Sequence, residues 1–427
     1  MRKIVLLACL SLVLLASRLP AQECITSECH VDFRKLRVLH APVEDDCLTC
    51  HEQTGDHEFS AIDRAGHCLE CHDDQKSGSI VHQAMAAMGC QDCHDPHGGS
   101  DRSFIKTERM DELCFQCHDQ APFMKKVVHG PMATGNCGMC HNTHSENNPA
   151  LLKSGKEMIC IRCHTDKDYS GGDFHQHTPL AEGCDGCHDS HSSDNPFQLI
   201  TPVEDLCGTC HDDLAEKAGQ AKFKHAIVNQ GKKCANCHDA HGSLFVNNLK
   251  TDPLSLCLDC HNKPIIGTDG KDYNIYKIVS DNPEKHGPIV DGNCTGCHDP
   301  HGSESYKILI SEFPEKFYTR FQEEKYALCF ECHDRTLVRD EKTSTLTNFR
   351  DGDINLHYLH VNREKGRTCR ACHEVHAGEF PNHIREEAPF GEWSLPIGFV
   401  KSDTGGTCAP GCHKAFSYSR QKGQSER

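Results

Sequence analysis

Residues 90–98 read CQDCHDPHG, and the pattern returns as CGMCHNTHS at 137–145, CDGCHDSHS at 184–192, CANCHDAHG at 234–242, CTGCHDPHG at 294–302 and CRACHEVHA at 369–377. Each is CxxCH with a further histidine three residues on. Working outward, a histidine precedes each first cysteine by eight or nine residues, and a second pair of cysteines, preceded by an apolar residue, follows. This module occurs six times, which is the signature of a repeat architecture. The second pair starts 23 or 24 residues after the first in four modules, and 35 and 39 residues after it in the last two.

The chain has 427 residues, 31 cysteines and 33 histidines. With Cys9 set aside, thirty cysteines form fifteen pairs, and a histidine follows every pair. Before the modules stand Cys24 and Cys29 with His30, Cys47 and Cys50 with His51, and Cys68 and Cys71 with His72. Modules one to three hold Cys90, Cys93 and His94; Cys114, Cys117 and His118; Cys137, Cys140 and His141; Cys160, Cys163 and His164; Cys184, Cys187 and His188; Cys207, Cys210 and His211. Modules four to six hold Cys234, Cys237 and His238; Cys257, Cys260 and His261; Cys294, Cys297 and His298; Cys329, Cys332 and His333; Cys369, Cys372 and His373; Cys408, Cys412 and His413. Thirteen pairs are CxxCH; the first is stretched to Cx4CH and the last to Cx3CH.

Two thiols a short loop apart form thioethers to the two vinyl groups of one porphyrin, and the next residue turns its imidazole onto the iron. Zinc sites need tetrahedral sets drawn from two pairs and have no use for the histidine, nor has a disulfide framework. The pattern therefore predicts a c-type cytochrome with up to fifteen haems. That resolves the composition. Aromatic residues are 6% of the chain, with one tryptophan, too little apolar surface for cores of this size. Porphyrins become the core and the polypeptide a wrapping.

Arg2 and Lys3 precede an apolar run from Ile4 to Ala16, so residues 1–21 read as a secretory signal peptide containing Cys9, with cleavage after Ala21. No later run is long enough to span a membrane as a helix. The expected organisation is this signal, a three-haem segment over 22–75, four compact modules over 76–263 and two expanded ones over 264–427. The net charge of −17 gives no support to nucleic-acid binding. Loss of the signal and addition of haem propionates take it to about −35, which favours basic partners. Turn pairs such as Asp95-Pro96 and Asp299-Pro300 predict coil with short helices and little sheet, elongated because each module contacts mainly its neighbours. Asp111-Glu112-Leu113-Cys114 reads as a helix start.

Over about residues 76 to 413 the chain resembles the multihaem cytochromes with a doubled CxxCH motif, a family of respiratory electron carriers. The resemblance implies a setting in anaerobic or metal-reducing respiration, in the periplasm, at the outer membrane or at the cell surface. It implies redox partners: periplasmic donors, an outer-membrane porin or surface cytochromes.

Eighteen histidines lie outside the motifs. His97, His144, His191, His241, His301 and His376 follow their proximal histidines by three residues, too short a link to wrap round the same porphyrin. They are expected to ligate neighbouring irons. His82, His129, His175, His225, His286 and His360 precede the modules, and His40, His57 and His67 serve the N-terminal haems. His177 and His357 compete with His175 and His360, while His57, His67 and His383 stay open between ligand and solvated side chain. The eight methionines follow no repeat. Two histidines per iron leave no open position, so the expected function is electron transfer without catalysis. A multihaem reductase with one open haem and a subunit of a polymeric filament are the alternatives.

Overall fold

The computed structural model describes residues 25, 28–60, 66–169, 171–266 and 272–421. The expected signal segment and Cys24 lie outside them. Two compact units divide the chain: residues 1–168 with 179–202, and residues 169–178 with 203–427. The four compact modules are therefore shared between the units.

Both units are mostly coil carrying short helices and very small sheets. The longest helix among the described residues is Asp212–Gln220, of 9 residues, followed by Pro253–Cys260, of 8. None is long and apolar enough to cross a membrane. Met110–Cys114 is helical, with Asp111 and Glu112 in its first turn; the Arg109 backbone N–H donates to Glu112 and the Arg109 side chain pairs with Asp111 at 2.8 Å. Negative charge in a first turn suits the helix dipole.

Five of the two-stranded sheets follow one rule. In the first unit, Val38–Leu39 pairs with Gly98–Gly99, Ile80–Val81 with Ser145–Glu146, and Val127–Val128 with Ser192–Ser193, all antiparallel. In the second, His175–Gln176 pairs with Gly242–Ser243 and Glu284–Lys285 with Ala377–Gly378. A two-residue strand before one module thus binds the residues after a later CxxCHxxH. Gly98, with φ of +153°, lies where a Cβ would strike the Val38 carbonyl at 2.4 Å, so this close approach needs glycine.

Each regular CxxCH is one helical turn. In all thirteen the histidine N–H donates to the carbonyl of the first cysteine at 2.9–3.1 Å. That turn places residues three apart on one side, so both thiols face the same way. In the stretched last motif His413 N–H reaches only Pro410, at 3.4 Å.

A protein core exists mainly where the modules expand. Nine of the fourteen buried apolar residues among the described ones lie at or beyond Tyr326, and Tyr326, Val338 and Val361 form a cluster packed by Phe321, Phe330 and Leu337. C-terminal to it stand a hairpin, Glu387–Phe390 with Trp393–Pro396, and a three-stranded sheet of Phe399–Lys401, Gly405–Cys408 and Phe416–Ser419. The inserts therefore supply the apolar packing that the compact modules lack.

Asn355, fully buried, caps the helix Leu356–Val361. Its Oδ1 accepts from His357 and Tyr358, while its amide donates to Leu337 and Asp340 at 2.8 Å. Asn355→Ala leaves those groups unpaired, at a cost of about 3 kcal/mol. Hydrogen exchange should accelerate in the amides of residues 356–361 and leave the compact modules unchanged.

Candidate haem sites

The histidines outside the motifs meet the motif histidines in pairs. In the first unit, imidazole rings face one another for His30 and His57 at 6.5 Å between centroids, His51 and His97 at 6.1 Å, and His72 and His40 at 5.9 Å. His94 faces His144 at 6.0 Å, His118 faces His82 at 6.2 Å, His141 faces His191 at 6.0 Å and His164 faces His129 at 6.1 Å. In the second unit, His211 faces His177 at 6.2 Å, His238 faces His301 at 6.3 Å and His261 faces His225 at 6.1 Å. His298 then faces His376 at 6.2 Å, His333 faces His286 at 6.0 Å and His373 faces His357 at 6.4 Å. All thirteen pairs lie within 26° of parallel.

That spacing tests whether these residues fit haem iron. Direct ring contact would bring atoms to about 3.5–4.0 Å. An imidazole nitrogen about 2 Å from a metal, and about 1 Å from its own ring centre, sets two ligand rings about 6 Å apart. The observed pairs match the second arrangement, and all but the His30 pair have a CxxCH turn beside them. Metal binding needs the neutral imidazole. Burial favours that form, holding His191, His298 and His301 below the usual range and pushing His357 and His376 down to about 4.

Three positions depart from the sequence reading. His177, not His175, faces His211; His175 lies exposed in the strand His175–Gln176, whereas His177 follows that strand and donates its backbone N–H to the His241 carbonyl, the place His40, His82, His129 and His286 take in their own joints. His357 and His360 do not compete. His357 faces His373, whereas His360 lines a cavity with Cys408, Cys412 and His413, its Nδ1 bonded to the Leu356 carbonyl at 2.7 Å. His67 sits exposed in the helix Gly66–Leu69, and His40 is the ring opposite His72. His383 packs edge-on against His286 at 5.6 Å and bonds the Glu284 carbonyl. His241 lies against Tyr169.

The other ring nitrogen of many of these histidines is anchored. Nδ1 of His94, His141, His188, His238, His298 and His373 meets the carbonyl nine residues on, at 2.6–3.1 Å. The carbonyl sits in a tight turn holding non-glycine residues at positive φ: Phe104, then Ala150 and Leu151, Phe197 and Gln198, Asn247 and Asn248, Lys307 and Ile308, and Asn382 and His383. A bridge from the histidine to Ile105, Leu152, Leu199, Leu249, Leu309 or Ile384 closes each loop. Sequence reasoning missed this device; an aliphatic residue eleven places after each first-motif histidine was its signal. His40, His129, His177 and His225 bond other carbonyls through Nδ1 at 2.8–3.0 Å.

Successive motifs also approach one another through their cysteines. The first cysteines lie close enough to interact in the pairs Cys68 with Cys90, Cys114 with Cys137, Cys160 with Cys184, Cys257 with Cys294 and Cys329 with Cys369. Second cysteines lie close enough to interact in Cys50 with Cys71, Cys93 with Cys117, Cys140 with Cys163, Cys237 with Cys260, Cys297 with Cys332 and Cys372 with Cys412. Each of these approaches joins two motifs that are consecutive in sequence and lie in one unit.

Comparison with known proteins agrees with this geometry. The family described as "Doubled CXXCH motif" matches residues 82–123, 129–169, 177–216, 225–265 and 286–337, together half of the chain. The chain is also 29% identical over 168 residues to the multiheme cytochrome MtrA of Shewanella baltica (strain OS185), an alignment covering 37% of this chain and 50% of that protein. The chain therefore spans about half the length of that relative.

Ligand deletions separate the two readings of the neighbouring histidines. In EPR of the oxidised variants, His177→Ala and His357→Ala should each create one high-spin haem, whereas His175→Ala and His67→Ala should create none.

Proposed function

The chain belongs to the doubled CXXCH motif family of multihaem c-type cytochromes, and from that premise we propose that it is an extracytoplasmic electron conduit with fifteen covalently bound haems. Bound at these motifs, haem supplies reversible one-electron chemistry. The residues do the rest. Cysteine pairs fix each macrocycle's position, the histidine after them holds one face, and a histidine from another part of the chain holds the other. His360 serves the site of Cys408, Cys412 and His413.

The observation that carries the reading is the close approach of successive cysteine pairs. It sets neighbouring attachment sites side by side, so that electrons move between adjacent centres in sequence order within each unit. Paired imidazoles supply two ligands to each iron and leave no position for a substrate. The absence of a repeated methionine near the motifs agrees with low potentials. The signal-like start and the similarity to a multiheme cytochrome support a place in the periplasm, at the outer membrane or at the cell surface. There the conduit would serve anaerobic or metal-reducing respiration, passing electrons between periplasmic donors and porin-held or surface cytochromes.

Intact-mass spectrometry should give fifteen haems per chain, and a deficit of more than two contradicts the count. Reductive titration should take up one electron per haem with no turnover of nitrite or hydroxylamine. Turnover at a rate set by one haem would make the protein a reductase.

A further inference from the structure

The residue directly after each first-motif histidine is Asp95, Asn142, Asp189, Asp239, Asp299 or Glu374. In the first five, the side-chain Oδ1 accepts the backbone N–H of the histidine two residues on, at 3.0–3.2 Å. This small turn presents His97, His144, His191, His241 and His301 to their partners. Asn142 makes it as well as the aspartates do, so the turn does not require a charge.

The charge has a second neighbour. Asp95 Oδ1 lies 3.0 Å from Nδ1 of His97, and the corresponding separations are 3.4 Å for Asp239 and His241, 3.5 Å for Asp299 and His301 and 3.9 Å for Asp189 and His191. Resting on the bis-histidine reading above, we propose that these aspartates set haem potentials. A carboxylate facing the Nδ1–H of a ligating imidazole makes the ring more basic and stabilises the ferric charge, which lowers the potential.

The six modules then form a graded series. Among the described residues, no lysine or arginine pairs with Asp95 or Asp239, so these act at full strength. Asp189 pairs with Lys125 at 3.2 Å and Asp299 with Lys217, which weakens them. Asn142 carries no charge. Glu374 is drawn away to Arg385, at 2.7 Å, and Arg385 is itself anchored on the His373 carbonyl. The haem held by His51 and His97 should therefore lie lowest among the first-unit haems of this type, that of His141 and His191 higher, and that of His94 and His144 highest. The second-unit haem of His298 and His376 should lie above that of His238 and His301. The sequence of potentials along the conduit is then uneven by construction.

The test uses full-length holoprotein carrying Asp95→Asn or Asn142→Asp, with potentiometric titration and EPR on the same samples. Asp95→Asn keeps the turn, as Asn142 shows. It should move one haem's reduced-to-oxidised ratio at fixed potential about tenfold towards reduced, about 59 mV for a one-electron couple. Asn142→Asp should move one haem the other way by a similar factor, a gain that loss of structure cannot produce. Low-spin spectra with unmoved midpoints overturn this proposal alone. A stoichiometric high-spin signal in the unmodified protein overturns the ligand reading, and this proposal with it. A high-spin signal only in Asp95→Asn makes Asp95 a support for His97 and overturns the tuning role.

Discussion

The structure depends on one backbone hydrogen bond, made repeatedly. The N–H of a histidine standing before one module donates to the carbonyl of the last histidine of a later CxxCHxxH: His40 to His97, His82 to His144, His129 to His191, His177 to His241 and His286 to His376, at 2.8–3.2 Å. Two residues of antiparallel ladder beside it complete the joint. An isolated strand pair of that length would not be stable in water. Here a histidine of the proposed ligand set adjoins each strand, so covalently anchored haems would hold the ladder, and the ladder holds two imidazoles at one joint. On the proposed reading, each joint orients one ligand for each of two haems.

The same economy explains where strain is stored. Consecutive non-glycine residues at positive φ are unfavourable by about 1–2 kcal/mol each. They recur at one position after first-motif histidines, where they turn a carbonyl onto Nδ1. Such strain persists only where surrounding structure over-determines it, and it concentrates at functional sites. The covalent anchor at one end of the loop and the bridge from histidine to an aliphatic residue at the other supply that constraint. Among the described residues, no second-motif histidine has such a loop. The two haem classes of a module thus differ in how their imidazoles are held, before any difference in burial.

Much of this was legible from residues 90–98 alone. Fifteen cysteine pairs each followed by histidine specify the family and a fold of coil and short helices, because the chemistry of attachment is local in sequence. Ligand choice is less local. His175 and His177 differ by two places, and only the strand pairing with Gly242–Ser243 decides which faces His211. His357 and His360 read as rivals, since one helical turn separates them; the buried Asn355 cap orients that turn so that each meets a different motif. The division into two units at 168 and 202 follows long-range pairing, which composition does not record. Asp95 and Asp299 read as parts of turn pairs until the structure placed their carboxylates beside an imidazole.

The central claim is that every iron in this chain has two histidine ligands, one from its motif and one from elsewhere. Low-temperature EPR of the oxidised, ligand-free protein, quantified against total haem, tests it most directly. The account predicts low-spin signals for every iron. A high-spin signal amounting to one haem per chain would contradict it and mark an open coordination site.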